Sequence, residues 1–402
     1  MKILIVSQYY YPEQFQINEI APELVKRGHQ VTVLTGLPNY PKGDIFEGYE
    51  NGLRREEIID GVKVIRCNII PRKHDPIHLV LNYYSFAKNG KKAALSLDGD
   101  FDVVICYQLS PVLMLEPAAA YAKKHKVPLI CYCLDLWPES AQGMLKMNKG
   151  PIYGYVKSLS KKLYTACDNI SVTSRPFIDY FADMLGVERE KMTYIPQHAD
   201  SSYLGLDMSA EDNGVADFMY AGNMGKGQTL DVLVRAVAEL RDRNDFVVHM
   251  VGDGSKKEEL EELAQRLGVK DKFVFYGNQK REDMPAFYKK ADALIITLRG
   301  NNFVGNTMPG KLQVYMTTRK PIFGAINGAA NEVVSEADCG KCVAAGDFKG
   351  LAAIMAEYID NPEKYSRAGE NAKMYFEEHF TLDEYTDKLE AQINETVKKH
   401  GV

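Results

Sequence analysis

An alternation that runs through this chain twice decides most about what it can fold into. Apolar runs of strand length stand at 2–7, 31–35, 62–67, 102–107, 128–135, 169–174 and 192–196. They return at 217–222, 246–252, 272–277, 293–298, 321–326 and 341–345. Stretches of helical period lie between them. In 17–25 the apolar residues Ile17, Ile20, Ala21, Leu24 and Val25 share one face, and 229–241 and 256–267 are built alike. Strands apolar on both sides, each followed by a helix, make parallel sheets covered on both faces. The chain is thus expected to be an α/β protein of two doubly wound, Rossmann-like domains. The polar stretch 197–214 has neither period and marks the join, giving domains at 1–196 and 197–380. Residues 381–402 are expected to form an amphipathic helix that packs back on the N-terminal domain. Pro22 predicts a kink or a displaced start in the first helix.

Composition removes several classes. With 402 residues, 46% hydrophobic and 26% charged, the chain has core enough for two or three globular domains and is not a disordered tail. A net charge of −5 argues against a generic nucleic-acid binder. The charge is uneven, about +3 over 1–195 and −8 over 196–402, as if the halves met different partners. Seven cysteines are too few and too irregular for a disulfide framework. Cys339 and Cys342 form a lone C-x-x-C without the second pair that zinc needs. The apolar start at 2–7 is too short for a membrane span or a signal peptide. The chain therefore reads as cytoplasmic.

Ligands of open α/β sheets bind beyond the carboxyl ends of the strands, so the loops there carry the functional signal. The strand ending at Ala221 runs into Gly222, Asn223, Met224, Gly225 and Lys226 before a helix. The next strands end at Gly252-Asp253-Gly254 and at Gly277-Asn278. A later segment, Asn306-Thr307-Met308-Pro309-Gly310-Lys311, opens another helix and supplies a second lysine. Glycines let backbone approach a ligand, and helix starts offer N–H groups to an anion. Each loop alone is either a plain strand-to-helix turn or a phosphate cradle; together they suggest a diphosphate site, such as one for a nucleotide sugar.

The first half differs. Its loop after 128–134 holds Asp135, Trp137 (the one tryptophan of the chain) and Glu139. Two carboxylates four residues apart can hydrogen-bond sugar hydroxyls or act as a base, and an indole face suits a sugar or lipid. The alternative is that Asp135 caps a helix and Trp137 fills a gap. The turn after the first strand, with Tyr11, is aromatic and unlike a phosphate loop. Residues 72–97 mix Arg72, Lys73, Lys88, Lys91 and Lys92 with Leu79, Val80, Leu81, Tyr83, Tyr84 and Phe86. Such a helix either lies on an anionic bilayer or is a core helix with a solvated basic end.

These segments together resemble the retaining glycosyltransferases of family 4, and within them the WbuB-like branch of capsule and O-antigen sugar transferases. The carriers are KILIVSQYYYPE (from residue 2), ELVKRGHQVTVLT (23–35), DLWPES (135–140), YAGNMGKGQ (220–228), VGDGS (251–255), PGKLQVYM (309–316) and KPIFGAINGAANEVVSEADCG (320–340). The resemblance implies the GT-B fold, two Rossmann-like domains facing an interdomain cleft, with the donor on the C-terminal one and the acceptor on the N-terminal one. It implies a hexosyl or N-acetylhexosaminyl transfer with retention, no cofactor and no metal. It points to Lys226 as a holder of the donor diphosphate. It also implies a lipid-linked or saccharide acceptor in surface polysaccharide biosynthesis, with peripheral contact at the inner face of the cell membrane.

One departure stands out: the two glutamates that most family members carry fall at Asn306 and Val314 here.

The expectation is therefore transfer from a nucleoside-diphosphate sugar, with UDP as the first choice. Lys226 and Lys311 would neutralise the departing diphosphate, while Asp135 and Glu139 would orient the acceptor beside Tyr11 and Trp137. Donor contacts are expected at Gly222, Asn223, Gly225, Gly254, Gly277, Asn278, Asn306, Thr307, Met308, Pro309 and Gly310. The rivals are a nucleotide-sugar epimerase or hydrolase on the same fold, and a non-catalytic nucleotide-sugar-binding partner subunit. A nicotinamide-dependent oxidoreductase is disfavoured because no G-x-G-x-x-G follows the first strand.

Overall fold

The computed structural model describes residues 1–50, 52–140, 150–210, 213–300 and 307–401. They divide into two compact units, Met1–Gln197 with Leu382–Val402, and His198–Thr381.

In the first unit the described strands are β1 (Lys2–Val6), β2 (Gln30–Gly36), β3 (Glu56–Ile59), β4 (Val62–Cys67), β5 (Val103–Gln108), β6 (Leu129–Cys133), β7 (Asn169–Val172) and β8 (Met192–Tyr194). Their order across the sheet is β3-β4-β2-β1-β5-β6-β7-β8, parallel except for β3. The chain turns outward in both directions from β1, whose Ile3 aligns with Val31 on one side and Val103 on the other. Successive strand residues face opposite sides, so β1 feeds two cores. Leu4 and Val6 join the core that also holds Phe86, Tyr121 and Tyr164. Ile3 and Ile5 join the one that holds Ile17, Ile20 and Leu24.

That second core is completed from the far end of the chain. Helix Leu382–His400 presents Tyr385, Leu389 and Ile393, one face of a helix, to the strands of the first unit. Ser171 Oγ donates to Gln392 Oε1 (2.5 Å), and Arg27 donates to Glu390 (2.9 Å). Helix Ile17–Lys26 runs through Pro22, which is buried inside it, so the start is not displaced.

The strand β3 was not expected. Its pattern is exposed and alternating, Ile58 being 79% exposed, and it pairs antiparallel with β4 through a turn at Asp60-Gly61 with positive φ at both residues. An Asp-Gly turn with that geometry matches the right-handed twist of a hairpin.

The second unit has β9 (Ala216–Ala221), β10 (Phe246–Val251), β11 (Phe273–Gly277), β12 (Ala293–Thr297), β13 (Ile322–Ala325) and β14 (Gly340–Val343). The order is β11-β10-β9-β12-β13-β14, all parallel, and the direction of winding reverses at β9. Crevices at such reversals are where this class of sheet takes ligands. Among the described residues no helix is long and apolar enough to cross a membrane.

Candidate functional site

In the second unit the loops after β9, β10 and β11 meet at one edge. Gly252 has φ +125°, and a Cβ there would fall 2.1 Å from the Gly222 carbonyl oxygen. At Gly254 (φ +155°) it would fall 2.5 Å from Asn223 Oδ1. Only glycine lets the loops close this tightly. Backbone bonds lock them: Gly222 N donates to Val251 O (2.9 Å), Met224 N to Asp253 O (2.7 Å) and Gly252 N to Gly277 O (2.8 Å). Between them opens a cavity of about 330 Å³, with Gly222, Asn223, Gly252, Asp253, Asn278 and Gln279 on its walls and Met284 and Tyr288 behind.

Three lysines belong to the elements at this edge, none of them on the cavity wall. Lys226 opens the short helical turn Lys226–Gln228, is exposed, and makes no ion pair among the described residues. Gly225 precedes it in extended conformation. Lys257 begins helix Lys257–Arg266, and its Nζ lies 3.7 Å from where a Cβ on Gly277 would stand. Lys311 is the second residue of helix Gly310–Thr317. Its Nζ donates to Tyr220 Oη (2.5 Å) and Gln228 Oε1 (2.8 Å) and lies 3.9 Å from the centre of the Tyr220 ring. Burial pushes this amine down from 10.5 to about 7. Tyr220 Oη in turn donates to Asn223 O (2.7 Å), tying the lysine to the glycine loop.

Thr307, Met308 and Pro309 lead into the lysine's helix, Met308 packing on the core beneath; none of them lines the cavity, nor does Gly310. Asn306 lies outside the described residues. Val314 packs against the same apolar core, as its side chain requires.

In the first unit Asp135 and Glu139 follow β6 but are held by different partners. Ser110 Oγ donates to Asp135 Oδ2 (2.6 Å). Tyr153 Oη (2.7 Å) and Tyr180 Oη (3.2 Å) donate to Glu139 Oε1. The Tyr180 phenol is raised, first by burial and then by the Glu139 charge. Trp137 corrects the sequence reading. It is 5% exposed, belongs to the core of the first unit and donates its indole N–H to Ser110 Oγ (3.1 Å), so it offers no open face to a sugar. An apolar ring this large gains more from burial than from display. Tyr11 is half exposed, and its carbonyl accepts from Arg66 Nη2 (2.9 Å).

The turn after β1 hides a carboxyl group that sequence reasoning passed over. Glu13 is 2% exposed; its Oε1 accepts the backbone N–H groups of Asn39 (2.8 Å) and Tyr40 (2.7 Å), while Oε2 has no partner. Burial raises the carboxyl from 4.5 to about 7.

The comparisons with known proteins follow this division of the chain. The family described as Glycosyltransferase Family 4 matches residues 15–203, and the one described as Glycosyl transferases group 1 matches 208–375. Sucrose-phosphate synthase from Thermosynechococcus elongatus superposes with a TM-score of 0.73 over 99% of both chains at 14% identity. The chain is a GT-B glycosyltransferase.

Other relatives of this glycosyltransferase include a mannosyltransferase of Mycolicibacterium smegmatis, named as GDP-mannose-dependent and acting on a phosphatidylinositol monomannoside. It is 28% identical over 95% of this chain and 94% of its own. WcaI of Escherichia coli, named as a glycosyl transferase of colanic acid biosynthesis, is 27% identical over 75% of this chain and 77% of its own. Anabaena HepE, solved in complex with UDP, superposes with a TM-score of 0.70 at 14% identity over 98% of this chain and 99% of its own. Within this candidate site, Tyr220, Gln228 and Lys257 escaped the sequence reading. Tyr220 looked like strand core, and the only signal for Gln228 was its place two residues after Lys226, where a loop still has side chains to aim.

Proposed function

We propose that this glycosyltransferase moves a sugar from a nucleoside-diphosphate donor, UDP-linked by preference, to a lipid-linked or saccharide acceptor during surface polysaccharide assembly. The observation that carries this reading is the glycine-walled cavity beside Lys226, Lys257 and Lys311. Close backbone takes the diphosphate, and lysine charge meets the negative charge that grows on it as the sugar leaves. The UDP in HepE and the GDP-mannose in the mycobacterial enzyme's name support a nucleotide-linked donor and leave the base open between two choices. We assign the reaction to retention by same-face attack, as in the WbuB-like branch, without a metal. Asp135, which keeps Oδ1 uncommitted among the described residues, is the carboxylate assigned to the acceptor hydroxyl.

A thermal-shift screen of UDP- and GDP-sugars tests the donor. A ligand at about a hundred times its Kd adds roughly 2.7 kcal/mol to stability. Stabilisation by none of them would remove the donor reading.

Contact with an anionic membrane is supported by helix Pro76–Ser96. Its inner face buries Tyr83, Phe86, Ala87 and Ala94, yet its outer face turns Ile77, Val80, Leu81 and Tyr84 to solvent. Spacings of three and four residues place them on one stripe, which continues into exposed Lys88, Lys91 and Lys92. An apolar stripe with lysines beside it fits the interface of an anionic bilayer. Ile77→Asp with Leu81→Asp should abolish sedimentation with phosphatidylglycerol vesicles while shifting stability by about 0.5 kcal/mol or less. Unchanged sedimentation would remove this part of the proposal.

A further inference from the structure

The Lys311 amine sits in an arrangement that a plain charge contact does not require. A neutral amine has two hydrogens, and here both have acceptors at hydrogen-bond distance, Tyr220 Oη and Gln228 Oε1. Its open side packs on the bare Cα of Gly222, where a Cβ would stand 3.1 Å from Nζ, and Gly222 is itself a wall of the donor cavity. The groups facing it are few. Tyr220, from β9, is kept protonated by burial, as is Tyr315 one turn along the same helix, and Gln228 carries no charge. No carboxylate pairs with Lys311 among the described residues, and burial alone lowers its proton affinity.

We propose that Tyr220 and Gln228 are positioning residues that occupy two hydrogens of the Lys311 amine, so that the arriving donor diphosphate is met by a third N–H created by uptake of one proton from solvent. The balance is simple: the amine lone pair takes a proton, the group gains one positive charge, and the new N–H faces a phosphate oxygen. Both earlier contacts persist, and the ammonium also gains from the Tyr220 ring beneath it. Tyr220 carries the event to the loop, because its own hydrogen is given to Asn223 O. This inference rests on the donor reading above and adds to it how the site is charged.

Calorimetry of the full chain with UDP and with GDP, in two buffers of different ionisation enthalpy, tests it. At about pH 8 a terminal phosphate has already lost its second proton, so an acquired proton belongs to the protein. The expected result is uptake of most of one proton per nucleotide at about pH 8 and little at about pH 6, where a group titrating near 7 is already charged. Lys311→Met should bind more weakly with no uptake. Gln228→Leu and Tyr220→Phe should shift the pH midpoint of uptake downward and weaken binding by about tenfold, since each removes an acceptor of the ammonium. A merely structural role would lower affinity and leave the midpoint in place, which would overturn the assignment of both residues. Binding of nucleotide without uptake, or uptake that survives in Lys311→Met, overturns the proton inference and leaves the donor reading standing. Failure of both nucleotides to bind overturns the donor reading first.

Discussion

The two units of this glycosyltransferase share one architecture and treat the carboxyl edge of their sheets in opposite ways. In the first unit the edge closes on itself. Glu13 accepts two backbone N–H groups, Gln8 donates to Asn82 (2.6 Å), and Asn82 donates to Asn39 Oδ1 (3.2 Å) and to Ile70 O (2.6 Å). Bulky Tyr9 and Phe15 stack above (5.1 Å between centres). In the second unit the edge opens, because glycines bring backbone to backbone and leave a cavity, with Lys311 against Gly222 and Lys257 against Gly277. Side chains fill the first edge from within, although Gln8 Oε1, Tyr9 Oη and Glu13 Oε2 are buried there without partners; at the second edge backbone leaves the space open. Sheet topology thus sets where a site can be, while residue size at the loop tips sets whether one opens there.

The sharpest way to break this contrast is to give the second edge a side chain. Gly252→Ala places a methyl against the Gly222 carbonyl at a φ that L residues avoid, and should cost about 2–4 kcal/mol, read by thermal unfolding. Lys311→Met tests the cation that sits half inside the fold. Turnover should fall about 10²–10³-fold. Apo stability should rise by roughly 2–4 kcal/mol at neutral pH. The sign follows from the lowered proton affinity: between about 7 and 10.5 the unfolded chain binds the extra proton, so the wild type gains stability as pH rises through that window. The variant should show no such rise.

The first edge has the opposite dependence. Glu13 binds its proton more tightly when folded, so its contribution is complete below 4.5 and is lost as pH rises to about 7. Glu13→Gln keeps an acceptor for Asn39 and Tyr40, and should flatten the stability profile across that window, by about 1–2 kcal/mol relative to wild type. The smallest effect belongs to Lys226→Ala. Exposed and without an ion pair among the described residues, it should leave stability within about 0.5 kcal/mol. Donor affinity should drop about tenfold, less at high salt.

Much of the scaffold was legible because buried parallel strands cannot disguise their apolar runs. The strand β3 was not, since Glu56 to Ile59 lie at a sheet edge where an isoleucine can face water. The glycine loops and both lysines were legible from their positions after strands. What sequence could not show was depth: Trp137 and Glu13 sit in loops, where an indole is easily read as a platform and a carboxylate as solvated, and the structure buries both. Lys311 was read as a charge, whereas its partners Tyr220 and Gln228 are 91 and 83 residues away along the chain, beyond any local pattern.

The return of helix Leu382–His400 to the first unit sets an order on how the molecule is made. Residues 198–381 are contiguous and carry all they need for their own core, so that unit can close as soon as it has left the ribosome. The first unit must wait, since Tyr385, Leu389 and Ile393 are synthesised after the whole of the second unit. Of the two units, the one started earlier is finished later, and until then one face of its sheet is covered only in part, by helix Ile17–Lys26.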